Sequence, residues 1–113
     1  MKPESDLQKQ IVDYFRENYP KYILFHIPNS ATHFSKVVSS GVLWGVADLC
    51  LVLDGKVIFI ELKSLNGRLS DYQKQFQSKC LALSVEYHVV RDLLEFKEIL
   101  KNNLPINEWV DIN

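Results

Sequence analysis

The sequence predicts an α/β fold: a mixed β-sheet of about four strands flanked by helices on both sides. Three observations carry that expectation. A helical apolar stripe opens the chain. Two continuous apolar, β-rich runs, Leu49–Leu53 and Val57–Ile60, meet at Asp54-Gly55. After them the pattern alternates helix, strand, helix, which is the order of a layered sheet with helices on its faces.

The elements can be justified in turn. Leu7, Ile11, Tyr14, Phe15 and Asn18 recur at three- and four-residue spacing, so a helix is expected from about Pro3 to Asn18. Pro3 suits its first turn, and Pro20 stands just past its end. Glu4 shares the face of Leu7 and Ile11, an odd place for a carboxylate if that face is buried. Tyr22–Ile27 reads as a first strand, closed by Pro28 and Asn29. Between Asn29 and Gly45 the pattern is Ser-rich, and a short helix over Phe34–Ser40 is the expectation, stopped by Gly41.

Asp-Gly is the favoured two-residue hairpin turn, because both central positions need positive φ. Unbroken apolar runs on either side indicate strands covered on both faces. Ser64–Leu69 is turn-rich, and Ser70-Asp-Tyr-Gln73 has the form of a capping box that opens a helix. Tyr72, Phe76, Cys80 and Leu83 are its expected buried face. Val85–Val90 is a further strand, and Asp92 caps a last helix with Leu93, Phe96 and Leu100 inward. The tail, residues 102–113, contains Pro105 and Trp109 and has no assigned place.

The length, 113 residues, fits one domain over 1–113 with its core at about 4–100. A hydrophobic content of 47% and a charged content of 24% are those of a globular chain and exclude disorder as the starting expectation. Cys50 and Cys80 are far apart in apolar surroundings and read as free thiols in a reducing compartment. Neither a signal peptide nor a run of ~20 apolar residues is present, so a soluble, cytoplasmic protein without a membrane partner is expected. His26, His33 and His88 share no ligand spacing, which argues against zinc.

The chemistry lies in the hairpin. A two-residue turn pairs Leu53 with Lys56, and stepping outward sets Asp48 opposite Glu61. Lys63 lies two residues beyond Glu61 and points to the same side. Opposed residues have Cβ atoms roughly 4.5–5.5 Å apart. At about 5 Å and an effective dielectric near 20, two carboxylates repel by about 3 kcal/mol. Lys63 offsets part of this. A divalent cation would offset more and use the oxygens as ligands, since Mg²⁺ takes one or two carboxylates, water and phosphate oxygens. Those are the parts for metal-assisted phosphodiester hydrolysis, with the Leu62 carbonyl as a further ligand. Against this, E-x-K alone is common and usually marks a solvated strand end with an ion pair. The net charge of −1 and pI near 6.3 count mildly against nucleic acid, although bound cations would change the potential that a phosphate meets.

Gly45-Val-Ala-Asp48 followed by Glu61-Leu-Lys63 resembles the PD-(D/E)xK nuclease signature. More narrowly, the chain resembles the VRR-NUC family. The similar stretches are Glu4–Gln8, Ile27-Pro-Asn29, Gly41–Asp48, Phe59–Ser64, Gly67–Gln73 and Val89-Val90, in order from Glu4 to about Leu100. Ala47 stands where the family usually has proline.

The resemblance implies a restriction-endonuclease-like core and Mg²⁺- or Mn²⁺-dependent cleavage of DNA. It implies Asp48 and Glu61 as metal ligands, Lys63 as the catalytic lysine, Glu4 as an acid at the edge of the cluster, and Gln73 as the glutamine after the strand. Stand-alone short members resemble dimeric resolvases of four-way (Holliday) junctions and often come from phages. A homodimeric endonuclease for branched DNA is therefore expected, with flap cleavage or a non-catalytic DNA-binding module as alternatives. A restriction enzyme needs more chain for base readout.

Several residues keep two readings. Glu4 also suits a first helical turn, where the dipole favours an acid. Gln73 also completes the capping box with Ser70. Lys36, Arg68 and Lys74 are candidate phosphate contacts or ordinary surface charge, and Asn29 and Ser30 are candidate lining of the cleft.

Overall fold

The computed structural model describes residues 3–28 and 41–112. The order is α1 (Glu4–Asn18), β1 (Ile23–His26), β2 (Leu49–Leu53), β3 (Lys56–Leu62), α2 (Asp71–Ala82), β4 (Glu86–Val90) and α3 (Leu93–Asn103), then a 3-10 turn at Ile106–Glu108. One four-stranded sheet runs β1-β2-β3-β4. The first two pairings are antiparallel and β3–β4 is parallel. The parallel step follows from α2, which carries the chain back across the sheet before β4 begins. The expected short helix at Phe34–Ser40 lies outside the described residues. Among the described residues, no helix is long and apolar enough to cross a membrane.

Strand alternation sorts the side chains into two layers. Leu24, Leu49, Leu51, Leu53, Ile58, Ile60 and Leu62 share a buried cluster with Leu7, Ile11 and Phe15 of α1 and Phe96, Ile99 and Leu100 of α3. Phe15 stacks on Tyr19 at 5.2 Å between ring centres and meets Phe96 edge-on at 5.9 Å. The opposite face carries α2, whose Phe76 and Cys80 are buried with Ala47 against Phe59, Val85 and Tyr87. Glu61, two residues beyond Phe59, belongs to this second face.

Two expectations need correction. Of the supposed buried stripe of α2, only Phe76 and Cys80 are buried, whereas Tyr72 and Leu83 are exposed. Tyr72 instead packs against Trp44, with ring centres 5.4 Å apart. Leu83 lies past the last helical residue, where Ser84 takes a positive φ and turns the chain into β4. Coverage on both faces holds for β2 over most of its length but only in part for β3, where Val57 at the turn end is exposed; β1 has exposed Ile23 and Phe25. The α2 layer reaches only the β3–β4 half of its face, as its contacts with Phe59 and Tyr87 indicate.

The tail has a definite place. Trp109 Nε1 donates to the Leu104 carbonyl at 3.0 Å, and the Val110 N–H donates to the Tyr19 hydroxyl at 2.8 Å. Tyr14 in turn donates to the Val110 carbonyl. The tail therefore straps α3 to α1 through the hydroxyls of two α1-side tyrosines.

Gly45 links the second layer to the sheet. Its φ is +79°, and a Cβ there would stand 2.2 Å from the Tyr72 carbonyl oxygen and 2.7 Å from the Gln73 nitrogen. Only glycine lets the segment before β2 lie this close to the first turn of α2. Gly55, in the hairpin turn, has φ +62° and nothing within 4 Å of such a Cβ. Gly45→Ala is therefore expected to destabilise the fold by more than Gly55→Ala. Backbone strain of about 1–2 kcal/mol applies to both, and overpacking of about 1–3 kcal/mol applies only at Gly45. Urea unfolding of the two variants measures the difference, and equal losses would remove the close-approach argument.

Candidate functional site

The hairpin register is the expected one, although of the two turn residues only Gly55 takes a positive φ. Leu53 pairs with Lys56, and the ladder continues to Leu49 opposite Ile60. The next step sets Asp48 across from Glu61. Here the side chain enters the hydrogen bonding between strands: the Leu62 N–H donates to Asp48 Oδ2 at 2.7 Å. The Asp48 carbonyl turns the other way and accepts from the Ile27 N–H at 2.8 Å, with His26 Nδ1 3.0 Å away. Asp48 is thus held from both neighbouring strands.

Glu61 is only 1% exposed and, among the described residues, is the one charged residue in the buried set. Its Oε2 accepts from Gln73 Nε2 at 3.0 Å and lies 3.5 Å from Lys63 Nζ. Its Oε1 is buried with no hydrogen-bond partner. Burial is the first cause that pushes its pKa up, to about 8; the charge and hydrogen bonding of Asp48 add to it, and Lys63 opposes both. Lys63 is itself mostly buried, and its N–H donates to the Val90 carbonyl at 3.1 Å. That bond carries the β3–β4 pairing one residue past the strand.

Gln73 makes the expected capping box and also contacts Glu61. Its N–H donates to Ser70 Oγ and its Oε1 accepts from the Ser70 N–H at 2.8 Å, which completes the capping box. The remaining end of the same amide, Nε2, reaches Glu61. A helix cap and a site contact thus come from one side chain, because the cap fixes the amide's orientation.

The other candidates are more scattered. Glu4 is exposed in the first turn of α1. Among the described residues, no group of three or more His, Cys, Asp or Glu side chains is gathered closely enough to hold an ion. Arg68 and Lys74 are exposed, on the loop before α2 and in its first turn. Asn29, Ser30 and Lys36 lie outside the described residues.

Two residues emerge that the motif did not mark. Arg91 Nη1 donates to the Ser64 and Gly67 carbonyls at 2.7 and 2.8 Å, so it shapes the loop that follows Lys63. The only sequence signal for it is an arginine directly after a strand, and the parallel pairing that brings it to the loop is non-local. The Tyr87 hydroxyl is the second buried side-chain atom without a partner among the described residues.

A carboxylate pair with one buried, unpaired oxygen could hold a hard cation through Asp48 and Glu61, with water completing the shell. Without such an ion, Glu61 has a definite pH signature. Its unfolded pKa is about 4.3, so between there and about 8 the folded chain keeps a proton that the unfolded chain has released. Stability therefore falls as pH rises through that window. Glu61→Gln is expected to remove the fall. In EDTA at pH 8 it should melt higher than wild type by roughly 4 °C or more, which corresponds to about 1 kcal/mol. Thermal melts between pH 5 and 8 check this, and a variant melting lower than wild type at pH 8 contradicts it.

No family model matches the sequence, and no curated protein matches it. A solved structure described as a VRR_NUC domain protein is similar, with a TM-score of 0.75 over 100% of this chain and 96% of that chain, at 16% identity. That likeness is one of fold. The mixed sheet with its flanking helices therefore has the restriction-endonuclease-like fold, shared with that VRR_NUC domain protein.

Proposed function

We propose that the chain is a Mg²⁺- or Mn²⁺-dependent endonuclease that hydrolyses phosphodiester bonds in DNA. The observation that carries this reading is the buried Glu61 carboxylate, set across from Asp48 with one oxygen unpaired and Lys63 beside the other. A structural ion pair would leave no buried oxygen unsatisfied, since such an atom costs about 1–3 kcal/mol or more. A site built to take a cation keeps one ready. The fold likeness supports the same reading.

In this reading Asp48 and Glu61 hold the cation. The Leu62 carbonyl joins them, because in a strand a residue's C=O points to the same side as its N–H, here toward Asp48. The bound ion supplies Lewis acidity toward the scissile phosphate and a water of lowered pKa. Gln73 keeps Glu61 Oε2 engaged and so turns Oε1 toward the ligand. Lys63 Nζ orients the attacking water and stabilises charge developing on the phosphate oxygens. Arg68 and Lys74 contact the DNA backbone as exposed cations, and Glu4 is assigned to the outer shell or to its helix dipole alone.

The substrate assigned is branched DNA such as a four-way junction, cut by a homodimer whose two-fold symmetry matches two scissile strands. It rests on the sequence resemblance to those VRR-NUC members that resemble junction resolvases. Labelled junction, flap, duplex and single-stranded DNA, each with Mg²⁺ or Mn²⁺, separate this from the alternatives. Wild type should cut the junction, while Asp48→Ala and Lys63→Ala should lose at least about a hundredfold in rate, the scale of losing one general acid–base or electrostatic contribution. Cleavage confined to flaps rejects the junction assignment, and no cleavage under either metal rejects the enzyme. Analytical ultracentrifugation at micromolar concentration should give a dimer mass; a monomer there rejects the two-fold arrangement.

A further inference from the structure

Among the described residues, two buried side-chain polar atoms have no hydrogen-bond partner: Glu61 Oε1 and the Tyr87 hydroxyl. They lie in one corner of the fold. Tyr87 stands beside Phe59 across the parallel β3–β4 pair, and Glu61 is the next residue of β3 on the same face. The Tyr87 ring is held edge-on against Phe76, at 6.0 Å between centres. Burial pushes the hydroxyl's pKa up, and the Glu61, Cys80 and Asp48 groups push it further, in that order. The hydroxyl is therefore a protonated donor within electrostatic reach of both carboxylates.

A buried phenol with nothing to bond is a cost of about 1–3 kcal/mol that phenylalanine would avoid at the same volume. Counting lone pairs shows where it belongs. A carboxylate has about four acceptor sites. At Glu61, Gln73 and Lys63 occupy Oε2, and a cation needs only one site on Oε1. One site on Oε1 is left for a donor.

We propose that Tyr87 is a positioning residue for Glu61, its O–H donating through one bound water to Oε1 and so aiming that oxygen's other lone pair at the cation. The hydroxyl and Oε1 would be two of the two to four polar partners that a buried water requires. The role resembles that of outer partners which orient metal-binding side chains. It rests on the metal-dependent reading of the site.

The test is Tyr87→Phe, titrated with Mn²⁺ by calorimetry without DNA and melted in EDTA. The variant should fold and melt at or above wild type, because it loses an unpaired buried hydroxyl, yet bind Mn²⁺ at least tenfold more weakly. In wild type carrying ¹³Cζ-labelled tyrosine, the Tyr87 signal should move on adding Mg²⁺ and again in Glu61→Gln. Wild-type Mn²⁺ affinity in Tyr87→Phe, or a Tyr87 signal indifferent to both changes, overturns the proposal and leaves the metal reading standing. A wild-type chain that binds no Mn²⁺ overturns both.

Discussion

A carboxylate that is 1% exposed has left nearly all of its hydration behind, and the fold around Glu61 is organised by how that loss is met. An isolated buried charge would neutralise itself by taking a proton, which is the direction in which Glu61 is pushed. Three neighbours decide the balance. Asp48 opposes ionisation, Lys63 favours it, and the Gln73 amide accommodates the charged form through a donated hydrogen bond. The result is a group poised between two protonation states until a ligand chooses.

The means of holding these groups are ordinary structural devices set close together. The tight turn at Asp54-Gly55 fixes the β2–β3 register, whose last pair, Leu49 with Ile60, stands one step short of Asp48 and Glu61. Gly45 lets the first turn of α2 approach the chain just before Asp48, and the capping box then locks Gln73 in the one orientation that reaches Glu61. Arg91 gathers the carbonyls of the loop after Lys63. None of these parts performs chemistry. Each reduces the number of positions that the Asp48, Glu61 and Lys63 side chains can occupy.

The far end of the sheet makes the contrast plain. Glu86 is partly buried too, and burial again works to raise its pKa. There Lys56, His88 and Asn103 all bond to it and bring its pKa down to about 2, so every oxygen is answered. Two buried-edge carboxylates on neighbouring strands thus have opposite fates. The one with full partners is a structural joint between the hairpin, β4 and α3, whereas the one left short keeps a buried oxygen without a partner.

By itself the sequence determined what depends on nearby residues. The hairpin, its register, the facing of Asp48 and Glu61, the side of Lys63, the Ser70–Gln73 cap and the α1 stripe are all set by spacings of a few residues, where turn chemistry and periodicity act directly. Only the tertiary structure decided what depends on contacts distant in the chain. The parallel β3–β4 pairing brings Tyr87 and Arg91 to the site, and no local pattern encodes which strands lie side by side. Periodicity overstates the burial of the α2 face at Tyr72 and Leu83, because it gives a face but not how far the sheet beneath extends. The tail's place was likewise invisible, since its anchors are tyrosine hydroxyls on a helix some ninety residues earlier. Gln73 shows the two kinds of information meeting: its cap is local and legible, and its bond to Glu61 exists only because the fold carries that cap to the end of β3.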